Sequence, residues 1–171
     1  KIIAIIRIDV PYTGMIISTH ENQAVREKAL HLGISQISGG SRTSVGGNTE
    51  DVRPTDTEQF DVSDQRSLDE VIEWLMELGF LPSFCTACYR AGRTGDRFME
   101  LCKSKQIQNC CHPNALLTLK EYLEDYASPA TKALGEKLVQ AELPNIPQEK
   151  EREACIARLQ DIAQGERDFR F

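Results

Sequence analysis

The sequence is short of net positive charge, of histidine and of long apolar runs, and each shortage excludes something. With a formal charge of −6 at pH 7, it lacks the excess of Lys and Arg on which non-specific nucleic-acid binding draws. None of its apolar runs approaches the roughly 20 residues that cross a bilayer, and no segment has the form of a signal peptide. Neither nucleic acid nor a membrane is therefore expected as a partner, and a cytoplasmic location is. Internal repeats and low-complexity tracts are absent as well. Only three histidines are available as metal ligands or acid–base groups. No methionine opens the chain, and Lys1 stands at the head of an apolar run, as expected of a piece of a longer protein.

What is present is ordinary except for cysteine. The 171 residues are 40% hydrophobic, usual for a globular protein, and make one domain, or the end of one and a small second one. Six cysteines in a chain this long and this rich in acids and leucine do not read as a disulfide scaffold. Cys110 and Cys111 are neighbours, which is awkward for two independent bridges. Thiols kept reduced for metal are the better reading.

Cys85 and Cys88 are separated by two residues in a turn rich in Gly and Arg, so both sulfurs can reach one ion or cluster. Cys111 can then pin a distant segment to the same group. A closed zinc site wants a fourth protein ligand, and iron–sulfur clusters usually take four cysteines. Three thiols therefore point to a cluster with one iron left open, with Cys110 competing with Cys111 and His112 available as a fourth ligand. Arg90, Arg93 and Arg97 lie in the same stretch, with Lys103 and Lys105 just after; cations beside thiols favour an anionic thiolate group. Inert burial is the plainer alternative for a cysteine. It is the reading adopted for Cys102 and Cys155, which fall on apolar helical faces. His31, on a helix surface, is assigned no role.

Lys1 to Val10 has no decisive period: its isoleucines favour a strand, while Ile2, Ile3, Ile6 and Val10 share a helix face. Met15 to Ser18 reads as a buried strand with Ser18, Thr19 and His20 at its C-terminal end. Glu21 to Leu32 reads as a helix with Val25, Ala29 and Leu32 inward, stopped by Gly33, and Ile34 to Ser38 as a second strand. Strand, helix, strand at these lengths is a parallel β/α unit, and such folds bind ligands at strand C-termini. Residues 46–64 are polar and rich in turn formers, and mark a boundary.

Beyond it, Ser67 and Glu70 form a capping box for a helix from about Leu68 to Leu78. Val71, Ile72, Leu75 and Met76 make its stripe and Gly79 its C-cap. Thr94 or Asp96 opens a short helix to Lys103 that buries Phe98 and Met99. Pro113 stands as the first residue of a helix to about Tyr126, with Leu116, Leu119, Tyr122 and Leu123 inward. Ser128 and Pro129 open another to Leu143. A last helix runs from Pro147 to Gly165, inward at Ile156, Leu159 and Ile162. The expected class is α/β, with parallel β/α units in 1–50, a linker at 51–66 and a helical domain with a metal staple in 67–171.

SFCTACYRAGRTGDRFM, then CHPNALLTLKEYLEDYAS and the closing GERDFRF, resemble the C-terminal region of the radical-SAM tyrosine lyases that mature [FeFe]-hydrogenase. PYTGMIISTHE through ISGGSRTSVGG resembles the last two β/α units of their TIM-like barrel. The resemblance covers essentially the whole chain, and it makes residues 67–171 a mostly helical iron–sulfur auxiliary domain. It implies that Lys1 to Val10 is helical, as in biotin synthase and its relatives. It also implies that Cys85, Cys88 and Cys111, which fit the family's CX2CX22C motif, hold an auxiliary 4Fe-4S cluster; Cys110 would leave the spacing one residue short.

These enzymes cleave tyrosine with a 5′-deoxyadenosyl radical, releasing p-cresol and a dehydroglycine fragment. The fragment becomes carbon monoxide and cyanide on an iron delivered towards the hydrogenase. The resemblance thus implies an extra, fifth iron on the open cluster iron, held through an exchangeable ligand. Arg90 and Arg93 would accommodate the anionic cluster and cyanide. S-adenosylmethionine, a second 4Fe-4S cluster and the histidine for the extra iron belong to the full-length protein, since the radical-SAM CX3CX2C motif is not in this chain. The implied partners are tyrosine, the N-terminal part of the same barrel and other hydrogenase maturation proteins. Ser18, Thr19 and His20 would meet tyrosine. The family places arginine where this chain has His20, and imidazole cannot make arginine's bidentate fork on a carboxylate. The rival reading is a zinc-stapled, non-catalytic module that binds a partner protein, with Cys85, Cys88, Cys111 and either Cys110 or His112 as ligands.

Overall fold

The computed structural model describes residues 1–43 and 62–171. They are mostly helical with a small two-stranded sheet. The chain divides into two compact units, 1–71 and 72–171. Most of the stretch expected as a linker at 51–66 lies outside the described residues.

In the first unit, the ambiguous opening run is a helix, α1 (Ile2–Asp9), none of whose residues is buried. Strands β1 (Ile16–Ile17) and β2 (Gln36–Ile37) pair in parallel, Ile16 with Gln36 and Ile17 with Ile37, and α2 (Gln23–His31) lies between them in the chain. Asn22 caps α2 by accepting from the Val25 N–H, and Gly33 ends it in the left-handed region, at φ +94°.

Two expectations need correction here. The first strand is shorter than Met15 to Ser18, and only Ile17 is buried in it while Ile16 is exposed. Helix α2 buries Arg26, Ala29 and Leu30, leaving Val25 and Leu32 exposed. An apolar pattern places arginine outside, but Arg26 has partners within. Its guanidinium donates to the Asp64 carboxylate and to the Ser38 carbonyl. Asp64 also accepts from Arg66 at 2.9 and 2.6 Å, and its N–H donates to the Thr19 carbonyl at 3.0 Å. A buried charge persists when it is paired and hydrogen-bonded. One carboxylate shared by two guanidinium groups thus ties residues 62–66 to the segments that leave both strands.

Helix α3 (Leu68–Glu77) opens on the capping box. Glu70 N–H donates to Ser67 Oγ at 3.3 Å, and Ser67 N–H donates to the Glu70 carboxylate at 2.7 Å. Gly79, at φ +80°, ends the helix and lets the Phe80 N–H return to the Leu75 carbonyl at 2.9 Å. Val71, Ile72, Leu75 and Met76 are buried, and Trp74 joins them.

The second unit is built on α6 (Gln108–Asp125), which packs against α7 (Pro129–Glu142) and α8 (Glu149–Ala163). Before it come α4 (Ala87–Arg90) and α5 (Gly95–Lys103), and a 3₁₀ turn, Leu143–Asn145, separates α7 from α8. Leu116, Leu119, Tyr122 and Leu123 face the core as the periodicity requires, with Val139, Ile146, Leu159 and Ile162 opposite. Ser128 caps α7 by accepting from the Thr131 N–H at 3.3 Å. At Gly135 a Cβ would come within 2.6 Å of Leu123, so the approach of α7 to α6 depends on glycine. Burial disfavours the charge on Lys120, but hydrogen bonds to Glu124 and Glu136 more than offset it and leave its pKa raised.

Three helix readings are corrected in this unit. Helix α6 starts at Gln108, five residues before Pro113, which therefore lies inside it. Proline takes the i+4 donor from the Asn109 carbonyl, but the preceding turn closes on other bonds. Asn109 N–H reaches Gln106, and both Cys110 and Cys111 N–H groups reach the Ile107 carbonyl. Helix α5 buries no residue fully, and Phe98 and Met99 are half-buried. In α8 the inner face is Cys155, Leu159 and Ile162, at helical spacing, while Ile156 falls beside it and is exposed. No helix among the described residues is long and apolar enough to cross a membrane.

Hydrogen bonds from Arg66 and the charge of Arg26 hold the Asp64 carboxyl at about 2, against an ordinary 3.8, despite its burial. The folded state thus favours the anion. That stability, about 2 kcal/mol, is present above the unfolded pKa and is lost as pH falls from there to about 2. Asp64→Asn is expected to cost at least that much near neutral pH and to flatten the stability change between about pH 4 and pH 2. Urea unfolding followed by circular dichroism measures both; an unaltered acid limb would remove Asp64 from its cause.

Candidate metal centre

The turn carrying Cys85 and Cys88 is too short to bury a core of its own, and α6 fixes its place. Phe84 N–H donates to Thr118 Oγ1 at 3.2 Å, and the Phe84 ring stacks on Tyr122 with centroids 5.1 Å apart. Cys85 N–H donates to Ser83 Oγ at 3.2 Å, and Ala87 N–H donates to Cys85 Sγ at 3.4 Å. After one helical turn, Gly92 at φ +62° reverses the chain, and the Arg93 N–H bonds back to the Cys88 carbonyl at 2.8 Å. Arg93 is thereby folded over the turn that holds Cys88.

Cys85, Cys88 and Cys111 line one cavity of about 460 Å³, together with Ser83, Tyr89, Arg93 and Phe98 among others. Cys110 is not among the residues lining it. Because Cys110 and Cys111 both lie on α6, their side chains leave the helix axis about 100° apart. Cys110 Sγ instead accepts from Arg93 Nη1 at 3.3 Å. His112 is engaged elsewhere, its Nε2 3.1 Å from the Glu142 carbonyl and 3.4 Å from the Glu142 carboxylate. Cys155 is fully buried, and burial pushes its thiol up to about 11. Cys102 is only half-buried, and burial with the nearby Cys88 raises its pKa.

Cys111 shows how crowded the thiols are. The residue is solvent-accessible, yet burial of its thiol and then repulsion from Cys88, Cys85, Cys110 and Cys102 push its pKa up to about 11. This repulsion counts against ionising Cys111, and a cationic guest would relieve it. Among the described residues, no group of three His, Cys, Asp or Glu side chains is placed to hold a metal ion. The three thiols are arranged around a cavity instead. In a 4Fe-4S cluster each thiolate binds a different iron, so its ligands surround the group rather than converge on a point. None of the described residues lining the cavity is Asp or Glu, and the Arg93 Nε is buried without a hydrogen-bond partner. A thiolate-ligated, anionic cluster fits this donor set better than a hard cation does.

Arg90 is placed differently from Arg93. Its guanidinium pairs with Asp168 and lines a separate cavity of about 120 Å³ behind the cysteine turn. Asp168 stands at φ +68°, a conformation Asp tolerates, and hydrogen bonds from Arg90 hold its carboxyl at about 2. Three residues farther on, the Phe171 main-chain oxygen accepts from Arg93 Nη2 at 2.7 Å and from Asn114 Nδ2 at 3.3 Å. The tail after Gly165 and the buried Asn114 were not legible as part of the site, because no local pattern says on which helix a tail will lie.

The other candidate residues lie in the first unit. Ser18 Oγ is 3.2 Å from His20 Nδ1 and accepts from the His20 N–H at 3.3 Å. Both residues are exposed, whereas Thr19 is buried and gives its carbonyl to Asp64.

Residues 1–81 match the Biotin and Thiamin Synthesis associated domain. Over 99% of its length the chain is similar to a crystal structure described as HydG, a maturase of the [FeFe]-hydrogenase, with a TM-score of 0.91 and 52% identity. The chain belongs to the HydG family. It corresponds to the C-terminal part of HydG, and covers 36% of that structure's chain. A second HydG, the FeFe-hydrogenase maturase from Carboxydothermus hydrogenoformans, has a TM-score of 0.66 and 36% identity over 92% of this chain and 32% of its own. The chain thus spans about a third of the length of the HydG structures it matches. No curated protein gives a significant match.

A thiol with a pKa of about 11 is ionised to only about 0.1% at pH 8. In metal-free protein, Cys111 and Cys155 are therefore expected to react with iodoacetamide at least about tenfold more slowly than in the unfolded chain. Peptide mass spectrometry after timed labelling reads this directly; rapid labelling of Cys111 would contradict the crowding.

Proposed function

We propose that this chain is part of a radical-SAM tyrosine lyase and carries its auxiliary 4Fe-4S site. The full-length protein would cleave tyrosine to p-cresol and dehydroglycine, and make carbon monoxide and cyanide on iron for the [FeFe]-hydrogenase active site. The observation that carries this reading is the cavity shared by Cys85, Cys88 and Cys111 in a chain 52% identical to HydG. In this reading residues 1–50 are the last β/α units of the barrel, completed by its N-terminal part, and 67–171 are the auxiliary domain. S-adenosylmethionine and the second 4Fe-4S cluster belong to the remainder. The protein works in the cytoplasm with other hydrogenase maturation proteins.

A cluster held by Cys85, Cys88 and Cys111 supplies one iron without a protein thiolate, open to an exchangeable ligand and a fifth iron. The chain's own residues do the rest. Cys111 is presented by a helix whose opposite face is core. Cys85 and Cys88 ride a turn tethered through Phe84. Phe98 gives the cavity an apolar wall, and Arg93 supplies positive charge against the thiolates. Ser18, Thr19 and His20 would meet tyrosine, the exposed Ser18 and His20 with their side chains and the buried Thr19 only by shaping the segment between them.

Anaerobic reconstitution of the full-length protein with iron and sulfide tests the ligand set. Cys111→Ser is expected to lose about four or five irons with their sulfide, and Cys110→Ser to keep them. One zinc without sulfide, lost on changing Cys110 or His112, would establish the zinc-stapled module instead. Turnover tests the substrate separately: p-cresol is expected from tyrosine, and a product only from another amino acid would reassign the lyase.

A further inference from the structure

We propose that Arg93 is the hydrogen-bond donor of the thiol cavity and that the C-terminal tail holds it there to receive an anionic acceptor. That acceptor is either a cluster sulfide or a small anion such as cyanide on the open iron. The inference rests on the reading of the cavity as an iron–sulfur site and adds a named positioning device to it.

Three arginines stand near Cys88 in sequence, but they are not equivalent. Arg90 is committed to Asp168 and borders a different cavity. Arg97 is exposed and does not line the thiol cavity. Arg93 lines it. Two of the three nitrogens of Arg93 are accounted for, Nη1 on Cys110 Sγ at 3.3 Å and Nη2 on the Phe171 main-chain oxygen at 2.7 Å. The third, Nε, is buried with no acceptor. Nη1 and Nη2 each carry a second N–H beyond the one so engaged, so the guanidinium that lines the cavity keeps donors for an acceptor that arrives with the guest.

The guanidinium is also held unusually firmly for a residue in a turn. Phe171 N–H donates to Asn114 Oδ1 at 2.8 Å, and Asn114 Nδ2 donates to the same Phe171 oxygen that Arg93 uses. Asn114 is 2% exposed, and the Arg158 guanidinium covers the Phe171 ring at 4.1 Å. Asn114 therefore fixes Phe171, and Phe171 fixes Arg93. A donor so placed loses little freedom when its acceptor binds. Its fixed positive charge favours the more negative, reduced state of a cluster, whose potential responds to net charge and to hydrogen bonds on sulfur.

The test uses the full-length protein reconstituted anaerobically with iron and sulfide. Two quantities are read by electron paramagnetic resonance: the reduction potential of the auxiliary cluster and its affinity for added cyanide. Arg93→Gln is expected to move the potential in the negative direction, to weaken cyanide binding by about tenfold, or both. A shifted potential without cyanide assigns the acceptor as cluster sulfide; a change confined to cyanide affinity assigns it as the small anion. Arg93→Lys, which keeps the charge but not the fork, should fall between, and Asn114→Ala should shift both readouts in the same direction by less. Arg97→Gln, which removes a similar charge from the exposed face of α5, should match wild type. If Arg93→Gln does not retain the cluster, Arg93→Lys and Asn114→Ala carry the test on the same readouts. Wild-type values in these variants, with iron and sulfide intact, would overturn the role of Arg93 and leave the iron–sulfur reading standing. A wild-type protein that binds no iron and sulfide at Cys111 would remove both.

Discussion

Burial of the leucine face of α6 is the constraint on which the second unit depends. Leu116, Leu119 and Leu123 are each within 1% of complete burial, and fully burying such a side chain contributes about 1.5–3 kcal/mol. The contacts that place the cysteine turn and the tail are weaker in kind: one hydrogen bond at Thr118 and one stacked ring for the turn, and two hydrogen bonds at Asn114 for the tail, each worth about 1 kcal/mol. The core therefore decides where α6 lies, and α6 decides where the turn and the tail can attach. The same helix carries Cys111, so one ligand of the candidate site is part of the rigid body and two are guests upon it.

The first unit solves a related problem with charge. Its strands are two residues long, far too little ladder to hold their C-terminal segments in place. Asp64 does that instead, through its N–H to Thr19 and through Arg26, which reaches Ser38. Such a network is strong only while complete, because each member leaves a buried partner exposed to its loss. Ser18 and His20 are therefore held beside a segment whose position is set by electrostatics rather than by apolar packing.

Where local physics decides, the sequence was readable. Ser67 with Glu70, Ser128 before Pro129 and Gly79 after an apolar stripe each act within a few residues, and each does so in the structure. The leucines of α6 were readable because their spacing repeats over several turns. Arg26 was not, since its partner lies 38 residues away and a hydropathy pattern has no way to represent a paired charge. Pro113 misled because it suits a helix start, whereas the preceding turn closes on the Ile107 carbonyl without needing its N–H. Spacing alone picked out Cys85 and Cys88 and left Cys110 open beside Cys111; the resemblance to the family's motif preferred Cys111, which lines the cavity with the other two. The tail remained hidden because Arg93 and Phe171, 78 residues apart, meet only once three helices have packed.

The early start of α6 has a consequence for how the cysteine motif tolerates change. On a loop, Cys110 and Cys111 would be nearly interchangeable, for a flexible backbone could present either. On a helix the rotation per residue turns chain length into angle, and the segment behaves like an indexed dial. Residues added to the turn at 104–107 change how the chain arrives without altering which thiol is presented. A single residue inserted between Cys111 and the leucines would turn Cys111 to the bearing that Cys110 now has and leave no thiol facing the cavity, whereas a deletion there would present Cys110. The fixed quantity is thus the phase between Cys111 and the core, and the interval separating it from Cys88 matters only through that phase.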